Sequence, residues 1–189
     1  MTFSEPTARL KGLTKSVILA RSITLFMYYR FGKAFYFVSI LVFIFFLLYF
    51  YSAMPEQVGI SIDESGAINR DWEKGTFFYG MIAVFVILNA ITMFTPKSLE
   101  TKENKKMHRI FPIGDPYRDY ILAWFYSFGG IINLSLGILT LYVHAINNQE
   151  EIGASSYNLW FFLMPVLLVV WVVALFALLF GKFKAVQRS

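Results

Sequence analysis

The sequence predicts an all-α integral membrane protein: a four-helix bundle with both termini cytoplasmic and an N-terminal amphipathic helix in the interface. Three observations carry this reading. Four runs of 22, 22, 30 and 30 residues contain no Asp, Glu, Lys or Arg, and 18 uncharged apolar residues already make a spanning candidate. Only 15% of the 189 residues are charged, where a soluble domain carries about one-quarter. Lys and Arg also alternate in density between the runs, as they do in loops on opposite sides of a bilayer. These features exclude a soluble enzyme or a DNA-binding domain as the leading reading. No dense basic patch interleaved with aromatics points to nucleic acid.

Residues 1–33 form a cytoplasmic N-terminal segment with six bases and one acid. Leu10, Leu13, Val17 and Ala20 recur at helical spacing, with Lys11, Lys15 and Arg21 interspersed. That pattern fits a helix lying in the interface with its bases outward. Docking on a partner and a disordered tail are the alternatives. No secretory signal peptide is expected, because the first long apolar run starts late and no small-residue cleavage pattern follows it.

Residues 34–182 form the transmembrane domain, with spans near 34–53, 76–95, 120–142 and 158–180. Helices are expected because each run can satisfy its own backbone in lipid, and four strands are too few to close a barrel. Tyr49 and Tyr51, Phe77 to Tyr79, Tyr120 and Trp124, and Tyr157 and Trp160 mark the span ends as interfacial anchors. The segment 56–74 carries five acids and two bases, and Glu150 and Glu151 carry no base between them. Both therefore face outward. The 97–119 loop, with six bases, and the basic tail 183–189 join the N terminus in the cytoplasm.

The outer loop has internal pattern. Val58, Ile60 and Ile62 alternate with Gly59, Ser61 and Asp63, which predicts a short extended stretch. Glu64-Ser65-Gly66 predicts a turn, and Trp72 is placed to dip into the interface. In the 97–119 loop, Asp115 or Asp119 is positioned to cap the third span's helix, with Pro116 in its first turn. Arg118 can reach a phosphate or a carboxylate. Trp72, Asp115, Tyr117, Arg118 and Trp124 are thus the candidates for interface or partner contact.

Inside the spans, Asn89 and Asn133 each need a partner, and an interhelical bond between them is the default expectation. Ser127, Gly130, Leu134 and Gly137 give the third span one small face, so it is expected to lie centrally or to face a partner subunit. Asn89, Ser127, Gly130, Asn133 and Gly137 are the helix-packing candidates. Pro165 is expected to bend the fourth span, and the Trp171 indole needs an acceptor.

The chain has no cysteine, which removes disulfides, thiolate metal sites and cysteine nucleophiles. No Ser–His–Asp, HExxH, Walker or GxGxxG pattern appears. His108 and His144 fall on opposite sides of the membrane and cannot share one haem. No cofactor is predicted. A haem shared with a partner through His144 is an alternative.

Met54, Pro55, Val58, Gly66 and Lys74 match, in type and spacing, a loop motif of Leu-Pro-x-x-(Ile/Val)-Pro-x-His-(Phe/Trp)-Asn followed by Gly and Lys. On these residues the first loop and its flanking spans resemble the bacterial membrane domain family that also occurs in SdpI-type immunity proteins. Gly59 stands at the family's second Pro, Ser61 at its His and Asp63 at its Asn. The resemblance implies a small multi-spanning protein, with immunity or signalling roles in some relatives.

The expected function is a non-catalytic subunit of a larger assembly in the bacterial cytoplasmic (inner) membrane. Its partners would be other integral membrane subunits and phospholipids, with no nucleic acid. The alternatives are a small transporter or immunity/sensory protein with a structured outer loop, and a lipid- or quinone-site protein using Arg118 and Asp115. The transporter reading needs a water-accessible cavity lined by Asn89, Ser127, Asn133 and Ser135. Acids and bases near the middle of the spans, which pumps ordinarily require, are missing.

Overall fold

The computed structural model describes residues 6–63, 67–101, 105–113, 115–148 and 158–187, with side chains described from residue 29 onward except at 106, 107, 158–161 and 163. The elements are α1 (Pro6–Ala53), β1 (Gln57–Ile62), β2 (Ile68–Glu73), α2 (Lys74–Glu100), α3 (Lys105–Ile110), α4 (Pro116–Asn147) and α5 (Asn158–Gln187). Four of the helices contain stretches long and apolar enough to cross a membrane: Tyr29–Ala53, Lys74–Glu100, Pro116–Asn147 and Met164–Gln187. The apolar runs therefore became membrane-length helices, as expected from their composition.

Two boundaries differ in an informative way. The N-terminal segment and the first span form one unbroken helix, with no joint at Lys33–Ala34. The second span does not end at its proline: Pro96 lies inside α2, which runs on to Glu100. Pro165 is likewise contained within α5. The stripe of Leu10, Leu13, Val17 and Ala20, the Glu64–Gly66 turn, Glu150 and Glu151, and the Tyr157 and Trp160 anchors lie outside the described residues or side chains.

The helices do not share the core equally. In its most apolar stretch, α4 is 56% buried, against 28% for α1, 22% for α2 and none for α5. α4 is the hub, packing against α1, α2 and α5. The central position expected of the third span is what the structure shows. Its main partner is α1, and the two run in the same direction. Gly32 meets Ala123, Phe35 meets Gly130, Phe46 meets Gly137 and Phe50 meets His144. The residue numbers in these pairs differ by 91 to 95 along the whole contact, which is the signature of parallel helices in one register.

Glycine makes that approach possible at one place in particular. A Cβ on Gly32 would sit 2.9 Å from the Ala123 carbonyl oxygen and 3.3 Å from its Cα. Both obstacles are backbone, so a side chain there must push the helices apart. At Gly130 and Gly137 the obstacles are mainly the rings of Phe35 and Phe46, which can rotate. α2 joins through Phe43 and Phe85, stacked at 4.6 Å between centroids.

The loop between the first two spans is an antiparallel hairpin of β1 and β2, the only strands among the described residues. The first strand follows the alternation in Val58, Ile60 and Ile62. The second was not visible in the sequence, because all six of its residues are exposed and no side-chain pattern marks it. Register shifts at Gly59/Ser61 and Ser61/Ile62 twist the ribbon. Val58 is fully buried beneath it, beside Met54 and Phe77.

The packing predicts opposite signs for two glycine substitutions. Gly75 has open space around its Cβ position, so Gly75→Ala gains helix propensity, up to about 1 kcal/mol. Gly32→Ala costs about 1–3 kcal/mol through overpacking. Reversible unfolding in mixed micelles measures both.

Candidate functional site

Four polar side chains within the spans, Tyr36, Ser39, Asn89 and Asn133, form one closed circuit across three helices. The Tyr36 hydroxyl donates to Asn89 Oδ1 at 2.8 Å. Asn89 Nδ2 donates to Asn133 Oδ1 and to the Phe85 carbonyl, both at 2.8 Å. Asn133 Nδ2 donates to Ser39 Oγ at 3.2 Å, and Ser39 Oγ donates to the Tyr36 carbonyl at 2.7 Å. Asn133 is 0% exposed and Ser39 1%. The structure thus brings the two expected amides together and adds Tyr36 and Ser39 from α1. The signal for the added pair was a hydroxyl inside an apolar run, three residues after a tyrosine. What the runs could not supply was the rotational phase of α1.

A second cluster sits toward the opposite end of the bundle from the hairpin. Glu100 accepts from Tyr29, from Lys33 Nζ at 3.1 Å and from Tyr126 at 3.0 Å. Lys33 Nζ also lies 5.5 Å from the Tyr29 ring centre and 5.3 Å from that of Tyr126. One carboxylate therefore ties α1, α2 and α4 together, with an ammonium neutralising it over two aromatic faces. This cluster exists because α2 continues past Pro96 and delivers Glu100 to α1 and α4. A chain broken at the proline would have left Glu100 in a loop.

The candidates of the 97–119 loop are engaged within the chain. Asp115 caps α4 by accepting from the Tyr117 N–H at 3.0 Å, with Pro116 at the first turn. It also pairs with Lys182 of α5. Arg118 Nη2 donates to the Leu99 carbonyl at 3.0 Å. His108 Nε2 lies 3.1 Å from the Thr101 carbonyl. Two basic side chains thereby serve the carbonyl end of α2, where the helix dipole favours them.

Trp124 is turned inward, against α5. Its indole donates to the Trp171 carbonyl at 2.8 Å, while the Trp171 indole donates to Ser127 Oγ at 3.2 Å and Ser127 donates to the Trp124 carbonyl at 3.0 Å. The four packing candidates on α4 therefore divide by direction. Gly130 and Gly137 receive α1, Asn133 joins the circuit to α1 and α2, and Ser127 serves α5. Trp72 is exposed on β2, with its ring over Gly80. Asn147, beyond the expected span 120–142, clamps the hairpin: it accepts from the Gly59 N–H at 2.8 Å and donates to the Gly59 carbonyl at 2.9 Å. His144 packs its ring 4.7 Å from that of Phe50, with the Asn148 amide beside its nitrogens. Among the described residues, no group of three or more His, Asp or Glu is arranged to hold a metal ion.

α1, α4 and α5 also enclose a groove of about 600 Å³. Its walls include Phe31, Phe35, Trp124 and Trp171, and its small residues are Gly32, Ala123, Ser127 and Ala174.

No family model matches the chain, and neither does any curated protein or solved structure.

The circuit makes a specific energetic prediction. Asn133→Leu removes two interhelical bonds and should cost about 1–2 kcal/mol, since such bonds average about 0.6 kcal/mol each. Asn89→Leu acts on the same bonds. A double-mutant cycle by unfolding in mixed micelles should therefore give a loss smaller than the sum of the two singles by at least about 0.5 kcal/mol.

Proposed function

We propose that this chain is a non-catalytic subunit that packs against and stabilises a larger membrane assembly. The observation that carries the reading is where the polar groups of the spans are directed. Asn89, Asn133 and Asn147, with the hydroxyls of Ser39, Thr92, Ser127, Ser135 and Thr140, are all bonded within the chain. Asn89, Asn133, Asn147 and Ser39 fasten elements to one another, while Thr92, Ser135 and Thr140 bond carbonyls of their own helices. What the chain presents outward is apolar and large. α5 is seated on α4 along one side, while Phe162, Val169, Val173, Phe176 and Phe180 stand more than half exposed. A transport path or an enzyme centre would require polar groups held open to a substrate.

The charge distribution supports an orientation with both termini and α3 in the cytoplasm and the hairpin outside, and the membrane we propose is the bacterial inner membrane. A second reading has one observation in its favour. The hairpin is clamped at Gly59 by Asn147 and anchored by buried Val58, so it presents a fixed surface. Together with the loop's resemblance to the SdpI-type family, that surface supports an immunity or sensory role.

The two readings separate on purification of the full chain from native membranes in mild detergent. The subunit reading predicts other membrane chains at fixed stoichiometry. It also predicts that Phe176→Ala with Phe180→Ala weakens their retention about tenfold, the scale of a lost interface anchor. A monodisperse chain that is fully active alone contradicts it.

A further inference from the structure

The groove between α1, α4 and α5 lies within the membrane-crossing stretches, opens along the bundle side, and is filled by no other element among the described residues. We propose that it is a binding site for one acyl chain of an anionic phospholipid, with the phosphate held at the end of the groove where Lys182 stands. This inference does not rest on the subunit reading. It needs only that the helices cross a bilayer.

The lining sets the chemistry. Most of its hydrogen-bonding groups are consumed among themselves: the Trp124 indole by the Trp171 carbonyl, the Trp171 indole by Ser127, and the Ser127 hydroxyl by the Trp124 carbonyl, which leaves the Tyr120 hydroxyl as the one lining group outside this set. Along the stretch lined by Trp124, Ser127 and Trp171 a polar ligand would find no partner, whereas a hydrocarbon chain needs none. The lining favours a chain over a partner helix: the bulky rings of Phe31, Phe35 and Trp171 stand among its small residues, so these do not form a continuous face on which a helix backbone could close.

The charge at one end selects the headgroup. On α5 the lining residues Ala174 and Leu178 are followed, one turn on, by Gly181 and Lys182. A Cβ on Gly181 would lie 3.4 Å from the Tyr117 ring, so Tyr117 packs against α5 one turn beyond the lining. Lys182 Nζ sits 5.7 Å from the Tyr117 ring centre and is paired with Asp115. An ammonium has three donor hydrogens, so it can keep Asp115 and still donate to a phosphate oxygen. Lys184, exposed on the same turn, adds to the attraction for an anionic headgroup.

The test uses the full chain in nanodiscs, with Trp72→Phe and Trp160→Phe so that emission comes from Trp124 and Trp171. Bromine on the acyl chain quenches indoles that the chain touches. Brominated phosphatidylglycerol should compete for the groove about fivefold better than brominated phosphatidylcholine at the same bilayer fraction, the preference one lysine confers. Ala174→Phe fills the groove and should abolish the saturable quenching. Ala174→Leu, a milder filling, should reduce it and serves if the larger ring prevents folding. Lys182→Gln can still donate to Asp115 and should keep the quenching while losing the headgroup preference. Equal quenching by the two lipids in the unfilled groove overturns the proposal. So does quenching that survives both fillings, or mass spectrometry of the purified protein finding a quinone or a polyisoprenoid there in place of phospholipid.

Discussion

An amide in hydrocarbon must find a partner or cost several kcal/mol, and the fold is arranged around that demand at Asn133. Its carbonyl takes the Asn89 amide and its own amide takes Ser39, so one side chain on α4 binds both α2 and α1. The Tyr36 hydroxyl then returns to Asn89 and closes the circuit. Because these bonds join three helices in one circuit, the rotation and depth of the helices are set together. Apolar packing alone would not do this: lipid chains are as apolar as leucine, so burial supplies little drive for helix association in a bilayer.

Around that fixed point the rest of α4 distributes its contacts by direction. Glycine at positions 130 and 137 lets the aromatic face of α1 close on it, and Gly32 lets the two backbones meet. Ser127 and Trp124 hold α5 through a reciprocal set of indole bonds. At one end Asn147 grips the hairpin by both groups of the Gly59 peptide. At the other, Glu100 gathers Tyr29, Lys33 and Tyr126. The two levels are spaced alike on the parallel pair: Lys33 precedes Ser39 by six residues and Tyr126 precedes Asn133 by seven. A chain with no mid-span charge can in this way specify one arrangement of its helices.

Much of this architecture was legible before the structure. Long uncharged runs become helices because the backbone has no other option in lipid. The pairing of Asn89 with Asn133, the Asp115 cap and the central place of the third span followed from the same reasoning. Other features depend on quantities that an apolar run does not encode. The phase of α1 decides that Tyr36 and Ser39 face inward. α4 begins at Pro116, so Trp124 stands two turns inside the helix and is buried where an interfacial anchor was expected. Pro96 is accommodated within α2, which moves Glu100 from a loop into a three-helix cluster. β2 is held by backbone pairing to β1 and carries no apolar alternation, and so left no mark in the sequence.

The central claim is that the amides within the spans are structural, closed on one another and sealed from water. Side-chain amide hydrogen exchange of the full chain in lipid bilayers, read by nitrogen-edited NMR, tests it directly. The account predicts that the Asn133 Nδ2 protons persist long after transfer to deuterated water, while exposed asparagine side chains exchange at once. Loss of the Asn133 signal at the rate of those exposed amides would place it on a water-accessible path, and would contradict the account.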